Sequence, residues 1–246
     1  QKIKTLLKNP YFLTFLAILI IAIGLRLYYS NLTQSQALWW DEADYMAYAK
    51  NIGGFPVKWV VLAKHNSFYP FIAGGLFKLS LSEALIKFIL QILPSILTVL
   101  LVYLICIEMY SDKRIALIAS FLTAIFWAHL FNSTRFHVDI PSLFTGLLAI
   151  YVFWKGYEKK EKIFKKIEPK WAMTIAVILV VLTYTIRRGY FLFGAFFLIY
   201  LLSTKKFKEL IKDKYNWIAL ATGIVLFFLS EKFIFSSKIK DIGEAY

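Results

Sequence analysis

Seven apolar runs constrain this 246-residue chain more than any other feature. They occupy residues 11–29, 84–110, 115–131, 140–157, 171–186, 189–203 and 217–235. A membrane-spanning helix needs about 20 mostly apolar residues, within a range of about 17–25. In hydrocarbon, backbone polar groups must find partners within the protein, which favours helices. The sequence therefore predicts an all-α, polytopic membrane bundle of about seven transmembrane helices, organised as a single domain over residues 1–246.

Composition excludes the common soluble classes. Hydrophobic residues make up 59% of the chain and charged residues 18%, whereas soluble domains average about 45–50% and about 25%. This hydrophobicity excludes a disordered chain, and a single cysteine, Cys106, excludes a disulfide-stapled secreted domain. The net charge of +14 does not indicate nucleic acid, because the lysines lie in short patches between the apolar runs. We expect membrane lipids as partners, and no nucleic acid.

The distribution of lysine and arginine predicts the orientation of the bundle. With the N-terminus inside, 17 of the 29 basic residues lie in four inner segments, as the positive-inside rule requires. We therefore expect a cytoplasmic N-terminus, outer loops at 30–83 and 132–139, and residues 236–246 outside. The abundance of lysine and isoleucine is typical of an AT-rich prokaryote, so we expect a plasma-membrane protein of such an organism.

The first outer loop, 30–83, is too long for a simple connector, and long loops tend to be functional. It carries three acids, Asp41, Glu42 and Asp44, directly after two tryptophans. One interpretation is an interfacial helix over 43–51 that Asp41 caps; the other is a catalytic carboxylate pair. The apolar stretch 69–79 is too short to span and predicts a second interfacial or re-entrant helix.

The second outer loop is short and rich in ionisable groups, with Arg135, His137 and Asp139. It forms either a local Arg135–Asp139 pair beside a helix start at Pro141, or the second half of an active site that includes Asp41. A further junction, between the short fifth and sixth runs, places two arginines slightly below the outer headgroups. They either snorkel to ordinary lipid phosphate or bind an anionic substrate.

The sequence leaves open whether the chain binds a metal ion. Carboxylates and an imidazole can hold a divalent cation such as Mg²⁺ or Mn²⁺. The sequence has neither His-x-x-x-His nor Asp-x-Asp spacing. The candidate ligands are Asp41, Glu42, His137 and Asp139. We expect the single histidines His65 and His129 to pack in the interior or lie at the surface, and Arg26 interrupts the first run near its end.

Four short motifs occur along the chain in a familiar order. They are Trp40-Asp41-Glu42, Tyr69-Pro70, Ser111-Asp112-Lys113-Arg114 and Asp139-Ile140-Pro141. In this order the chain resembles the membrane-embedded C superfamily of glycosyltransferases, GT-C. Within it, the protein O-mannosyltransferase-like enzymes and the bacterial aminoarabinose transferases are most similar. The resemblance covers nearly the whole chain as the N-terminal membrane module, and we expect that a C-terminal region of longer members is lacking.

The resemblance implies an enzyme that takes its sugar from a polyprenyl-phosphate donor on the extracytoplasmic face. The acceptor is a hydroxyl group of a lipid, glycan or protein. Asp41 is implied as the general base, beside Glu42, and Asp139 as the second catalytic or acceptor-orienting acid. We expect five further residues to contact the substrates, and these are Tyr69, Arg135, His137, Arg187 and Arg188. Tyr69 stands where the aminoarabinose transferases carry a lysine.

Two other functional classes compete with a glycosyltransferase. One is a transporter or flippase of a lipid-linked sugar, and the other is a non-catalytic membrane scaffold subunit. Transporters favour broken or polar helices at the midplane and an internal repeat, whereas the ionisable residues here gather at one surface. The sequence therefore favours chemistry at the membrane surface over passage through it, and the resemblance implies that this chemistry is transfer of a hexose or pentose in a single displacement, which inverts the anomeric carbon.

Overall fold

The computed structural model describes residues 8–57, 67–205 and 207–235. His65, part of the first outer loop and residues 236–246 lie outside these ranges. The described chain is helical, and its β structure is one isolated bridge between Ile163 and Ile167. The predicted all-α class is therefore confirmed there. The helices are α1 Pro10–Thr33, α2 Trp40–Gly53, α3 Tyr69–Lys78, α4 Glu83–Tyr110, α5 Lys113–Ile125, α6 Trp127–Ser133, α7 Asp139–Val152, α8 Pro169–Ile186, α9 Arg188–Thr204, α10 Phe207–Lys212 and α11 Lys214–Phe235.

Four of the described helices, α1, α4, α8 and α11, are long and apolar enough to cross a membrane. They match the first, second, fifth and seventh predicted runs. The third run is the pair α5–α6, bent by 54°, which makes a fifth span if both halves cross together. The fourth run is α7, which continues into π-helical turns, and the sixth is the shorter α9. Four or five spans are thus supported by length and composition, and the count of seven stays a prediction.

Large apolar side chains on the outside of the bundle mark its lipid-facing surface. Ile20, Ile118, Ile199 and Phe228 are each more than 60% exposed. A soluble monomer rarely exposes such extended apolar surface. These side chains belong to α1, α5, α9 and α11, so hydrocarbon surrounds the bundle on several sides.

The two ends of the bundle differ in their charges. At one end, which we call the basic end, Glu108 of α4 accepts hydrogen bonds from Lys155 at 2.6 Å and Lys159 at 2.8 Å. Lys205, which follows α9, pairs with Glu158 at 2.9 Å. The opposite end, which we call the site end, carries α2, α3 and the start of α7. This separation places the lysine-rich segments away from the candidate acids.

Helices α2 and α3 pack against each other at the site end. The α3 helix has 10 residues, which confirms a helix too short to span. Its Gly74 lies so close to α2 that an added Cβ would be 2.5 Å from the side chain of Ile52. This contact fixes α2, and with it the acids of the first loop, on the end of the bundle.

The predicted cap of α2 was wrong. The helix begins at Trp40 with Trp39 as its N-cap, so Asp41 lies inside the first turn. The backbone N–H of Trp39 donates to the carboxylate of Glu42 at 3.3 Å. Because Glu42 reaches back to an N–H that the helix cannot bond, Asp41 is not needed as a cap.

Candidate active site

Glu42 joins α2 to the segment 134–138 between α6 and α7. One carboxylate oxygen accepts from the backbone N–H of Phe136 at 2.8 Å, and the other lies 3.4 Å from Arg135. Arg135 also donates to Gln36 at 2.9 Å. Its guanidinium carbon lies 4.2 Å from the centre of the Trp39 ring. With Glu42 2% exposed, this pair is an enclosed link between α2 and the segment 134–138.

Asp139, the first residue of α7, forms the other acidic centre. It accepts from Nδ1 of His137 at 3.0 Å and from Nη1 of Arg187. The hydroxyl of Tyr190 lies 3.5 Å from the same carboxylate. The predicted local Arg135–Asp139 pair is wrong, because Arg135 bonds to Glu42 and Asp139 to Arg187 across the bundle.

The electrostatic setting of Asp139 keeps its carboxylate ionised. Burial by itself raises the pKa of Asp139, but the hydrogen bond from His137 and the charge of Arg187 outweigh it. The pKa therefore lies below its usual value. A carboxylate with a depressed pKa is a poor proton acceptor and a good partner for donors and cations. Asp139 is thus better suited to orient a substrate than to take a proton from it.

Asp41 and His137 both line a small cleft. The cleft has a volume of about 220 Å³, and Trp40 and Asn132 also line it. The ring of Tyr45 packs edge-on against that of His137 with 6.2 Å between centres. Burial, then the charges of Asp41, Asp139 and Asp44, raise the pKa of Tyr45 to about 12, against an opposing effect of Arg187. Asp41 and Asp139 thus lie at the same end of the bundle, on either side of the contact between Tyr45 and His137.

Two of the predicted substrate residues point elsewhere. Arg188 lies 3.6 Å from Glu231, and its guanidinium covers the ring of Phe235 at 3.8 Å. Tyr69 is fully buried, and its hydroxyl pairs with Gln91. The same Gln91 amide donates to the backbone carbonyl of His137 at 2.7 Å. Tyr69 thus supports the segment 134–138 through Gln91, and it is not among the residues that line the cleft.

A second and larger cavity, of about 810 Å³, starts at Asp139 and Tyr190. Asn132 lines both this cavity and the smaller cleft. Residues of α4, α5, α6 and α7 form its walls, most of them apolar. An apolar cavity with Asp139 and Tyr190 at its edge can hold an amphipathic molecule whose polar group lies near Asp139.

Sequence reasoning missed the environment of Arg26, which is fully buried. Its Nε donates to the hydroxyl of Ser95 at 2.6 Å, and Nη1 donates to the carbonyl of Ala124 at 3.1 Å. Nη2 lies 2.9 Å from Nδ1 of His129. The signal was present in the sequence, because an arginine inside an apolar run is a functional candidate by default.

The break between α5 and α6 explains part of this cluster. Phe126 adopts an extended backbone, so α5 ends and its last carbonyls lose their helical partners. Arg26 bonds one of them, that of Ala124. His129, expected to pack or lie at the surface, is buried at 5% exposure and also lines the larger cavity.

The candidate metal ligands do not form a cation site. Among the described residues, no group of three or more His, Cys, Asp or Glu side chains is placed to hold a metal ion. Glu42 is occupied by Phe136 and Arg135, and Asp139 by Arg187.

Comparison with known protein families gives a match over most of the described chain. Residues 64–230 match the family model described as dolichyl-phosphate-mannose-protein mannosyltransferase. No curated protein and no solved structure gives a significant match. The matched range includes Asp139, Arg187 and the larger cavity, while Asp41 and Glu42 precede it.

Proposed function

The chain belongs to the dolichyl-phosphate-mannose-protein mannosyltransferase family, and on that premise we propose that it moves a sugar from a polyprenyl-phosphate donor to a hydroxyl acceptor at the site end of the bundle. It is therefore an integral membrane glycosyltransferase of the mannosyltransferase type. The acceptor we propose is a hydroxyl of a lipid, glycan or protein. The observation that carries this proposal is that Asp41 of α2 lines one cleft with His137, whose ring is bonded to Asp139 at the edge of an apolar cavity.

In the proposed reaction, Asp41 acts as the general base. A sugar or side-chain hydroxyl is a weak nucleophile, and a carboxylate that accepts its proton speeds attack by about 10²–10⁴-fold. The acceptor oxygen forms a bond to the anomeric carbon as the bond from that carbon to the phosphate oxygen breaks. The proton goes to Asp41 and the bonding electrons leave with the phosphate. This single displacement inverts the anomeric centre.

We assign the leaving phosphate to the neighbourhood of Arg187. Its guanidinium is partly exposed, with 41% of the side chain accessible, and arginine binds phosphate oxygens through paired N–H groups. Asp139 holds this guanidinium in place and, with His137, orients the acceptor. The contact of Arg188 with Glu231 supports a lesser role for Arg188.

The enclosed residues have positioning roles in this proposal. Both oxygens of Glu42 are occupied, so it is better suited to hold the segment 134–138 against α2 than to react. Arg135 completes that link, and Tyr69 supports His137 through Gln91. Asp41, which also lines the cleft, is the acid to which we assign the proton of the acceptor.

The topology we propose has seven crossings, with the site end outside and the basic end in the cytoplasm. The alternation of the helices between the two ends supports the crossings, and the lysine-rich basic end supports the orientation. The active site then faces the outside of a prokaryotic plasma membrane, where a lipid-linked donor stays in the bilayer during transfer.

The central test is the substitution Asp41→Asn. We expect it to lower transfer from dolichyl-phosphate mannose by about 10²–10⁴-fold, measured as radiolabelled mannose moved to a threonine-rich peptide or a host lipid extract by the purified protein. Asp44→Asn, one helical turn along in α2, is the matched control and is expected to retain activity. Equal turnover by Asp41→Asn and the wild type would remove Asp41 from the mechanism.

A further inference from the structure

Trp40, the first residue of α2, holds its indole ring away from the rest of the bundle. The residue is 91% exposed. Its neighbour Trp39 is 57% exposed, and the guanidinium of Arg135 covers its ring at 4.2 Å. An exposed indole offers a large apolar face with one polar N–H, which suits either a membrane interface or a bound ligand.

The backbone at Trp40 is strained. Its φ is 39°, in the left-handed region that a bulky side chain rarely adopts. Such strain persists only where the surrounding structure imposes it, and it is concentrated at active sites and ligand clamps. Here the backbone N–H of Trp39 is bonded to Glu42, which is itself bonded to Phe136. An indole that only anchors the chain in the headgroup layer does not require this conformation.

The indole lines the same cleft as Asp41, and the cleft has the properties of a site for one sugar ring. The partly exposed side chains of Asn132 and His137 line it too, and its volume is about 220 Å³. A pyranose ring has a face of C–H groups and a rim of hydroxyls. The face packs against the negative π surface of an aromatic ring, and the rim bonds to amide, imidazole and carboxylate groups.

A sugar in this cleft belongs to the acceptor and not to the donor. We assign the donor phosphate to Arg187, which bonds to Asp139 at the edge of the larger cavity. The residues that line the cleft include neither of these two. They do include Asp41, to which we assign the proton of the acceptor.

We propose that Trp40 is the platform for a carbohydrate acceptor, with the apolar face of a sugar ring stacked on the indole and one of its hydroxyls directed to Asp41. The accepting molecule is then a glycan or a glycolipid. A serine or threonine side chain has no ring to stack, so Trp40 favours a sugar hydroxyl over a peptide hydroxyl. Trp40 determines specificity and takes no part in proton transfer. The inference rests on the proposed function for the reaction, and it narrows the acceptor to one class.

Two substitutions at Trp40 separate loss of the ring from loss of the fold. Trp40→Gly removes the indole, and glycine adopts a positive φ without strain, so we expect the variant to be as stable as the wild type in thermal unfolding. Trp40→Phe keeps an aromatic face and should keep most of the binding. Trp217→Ala removes a tryptophan that is 54% exposed at the basic end and is the matched control.

The first experiment measures binding without sugar transfer. Methyl α-mannoside, methyl β-glucoside and methyl β-galactoside are each titrated into the full chain in lipid nanodiscs, with iodide as a quencher of tryptophan fluorescence. The emission of Trp40 is the difference between the wild type and Trp40→Gly. We expect at least one glycoside to shield this emission from iodide and a threonine-rich peptide to leave it unshielded. Shielding by none of the glycosides would overturn the proposal.

Nanodiscs of phosphatidylcholine with brominated acyl chains test the competing role as a membrane anchor. Bromine quenches an indole that lies among the acyl chains. We expect the Trp40 emission to be the same in brominated and ordinary lipid, because the ring lies at the cleft. Strong quenching by the brominated lipid would show that Trp40 is an interfacial anchor and would overturn the proposal.

The second experiment compares acceptors in the transfer reaction. For the glycoside acceptors we expect Trp40→Gly to raise KM about tenfold with little change in kcat, as the loss of an aromatic contact does. Trp40→Phe should raise it less than about threefold, and Trp217→Ala should not change it. KM for the threonine-rich peptide should be the same in all four proteins. An equal rise in KM for glycosides and peptide, or transfer to the peptide alone, would contradict a carbohydrate acceptor.

The two experiments separate this subsite from the proposed reaction. A wild-type chain whose Trp40 is shielded by a glycoside but which transfers no sugar keeps the subsite and loses the proposed function. A chain that transfers mannose to the peptide while no glycoside shields Trp40 keeps the function and loses the subsite.

Discussion

Neighbouring acids in the sequence occupy different environments in the folded chain. Asp41 and Glu42 both line the cleft, but Glu42 is 2% exposed with both oxygens bonded, whereas Asp41 is only half-buried. The separation follows from helix geometry, because consecutive residues point about 100° apart around an α-helix. One acid can therefore face the protein and hold a loop while the next faces a substrate.

The consecutive arginines Arg187 and Arg188 also have different partners, Asp139 and Glu231. We therefore predict different effects from replacing each of them. Arg187→Ala removes the cation beside Asp139, and we expect it to lower the rate of transfer by about 10²–10³-fold, as does the loss of one group that stabilises developing charge. Arg188→Ala removes an exposed contact with Glu231, and such pairs contribute little. We expect it to cost less than about tenfold.

Steady-state kinetics with the lipid-linked donor would check this order. Lys159→Ala is the control, since Lys159 pairs with Glu108 at the basic end. Similar small effects from all three substitutions would show that neither arginine meets the leaving phosphate.

At the scale of elements, the placement of Asp41 depends on how closely α2 approaches α3. Gly74 and Gly75 are adjacent in α3 but face different surroundings. A Cβ on Gly74 would lie 2.5 Å from Ile52 and 3.0 Å from the carbonyl of Ala49, whereas one on Gly75 would have nothing within 4 Å. The same substitution at Gly74 and at Gly75 therefore separates the effect of the α2–α3 contact from the general effect of adding a methyl group to α3.

We predict that Gly74→Ala destabilises the protein by about 1–3 kcal/mol, because it forces two packed helices apart. It should also lower transfer activity by moving α2. Gly75→Ala should leave stability unchanged or raise it by up to about 1 kcal/mol, since alanine favours the helix. Thermal unfolding in detergent measures both, and equal effects would mean that the α2–α3 contact is not tight.

The bend between α5 and α6 is another element-scale device. A straight helix would have bonded the carbonyl of Ala124 internally and left Arg26 without that partner. The extended backbone of Phe126 frees this carbonyl, and the chain bends by 54° into α6. The bend brings His129 of α6 to Arg26. A break in a predicted span thus shapes the cavity beside the site.

At the scale of the whole molecule, the two ends of the bundle lead to a topology prediction. With Cys106 changed to serine, a cysteine placed at Ser80 of the site end should react with an impermeant maleimide added to intact cells. One placed at Lys160 of the basic end should react only after the cells are opened. The reverse pattern would place the active site in the cytoplasm and contradict transfer on the outer face.

The fold class and the broad function could be read from the sequence. Apolar runs at membrane length require helices because hydrocarbon offers backbone groups no partners. The short run 69–79 correctly predicted a helix that does not span. The number of crossings could not be fixed in the same way, because the third run is bent at Phe126 and α9 is short.

The sequence alone determined that this chain is a helical membrane protein with its candidate acids at one end and its lysine-rich segments at the other, since both properties follow from local apolarity and the order of charges. Only the tertiary structure decided which charges meet. Arg135 bonds Glu42, 93 residues away, and Arg187 bonds Asp139, 48 residues away. Such pairings depend on how helices far apart in the chain pack against each other, and no local pattern carries that information.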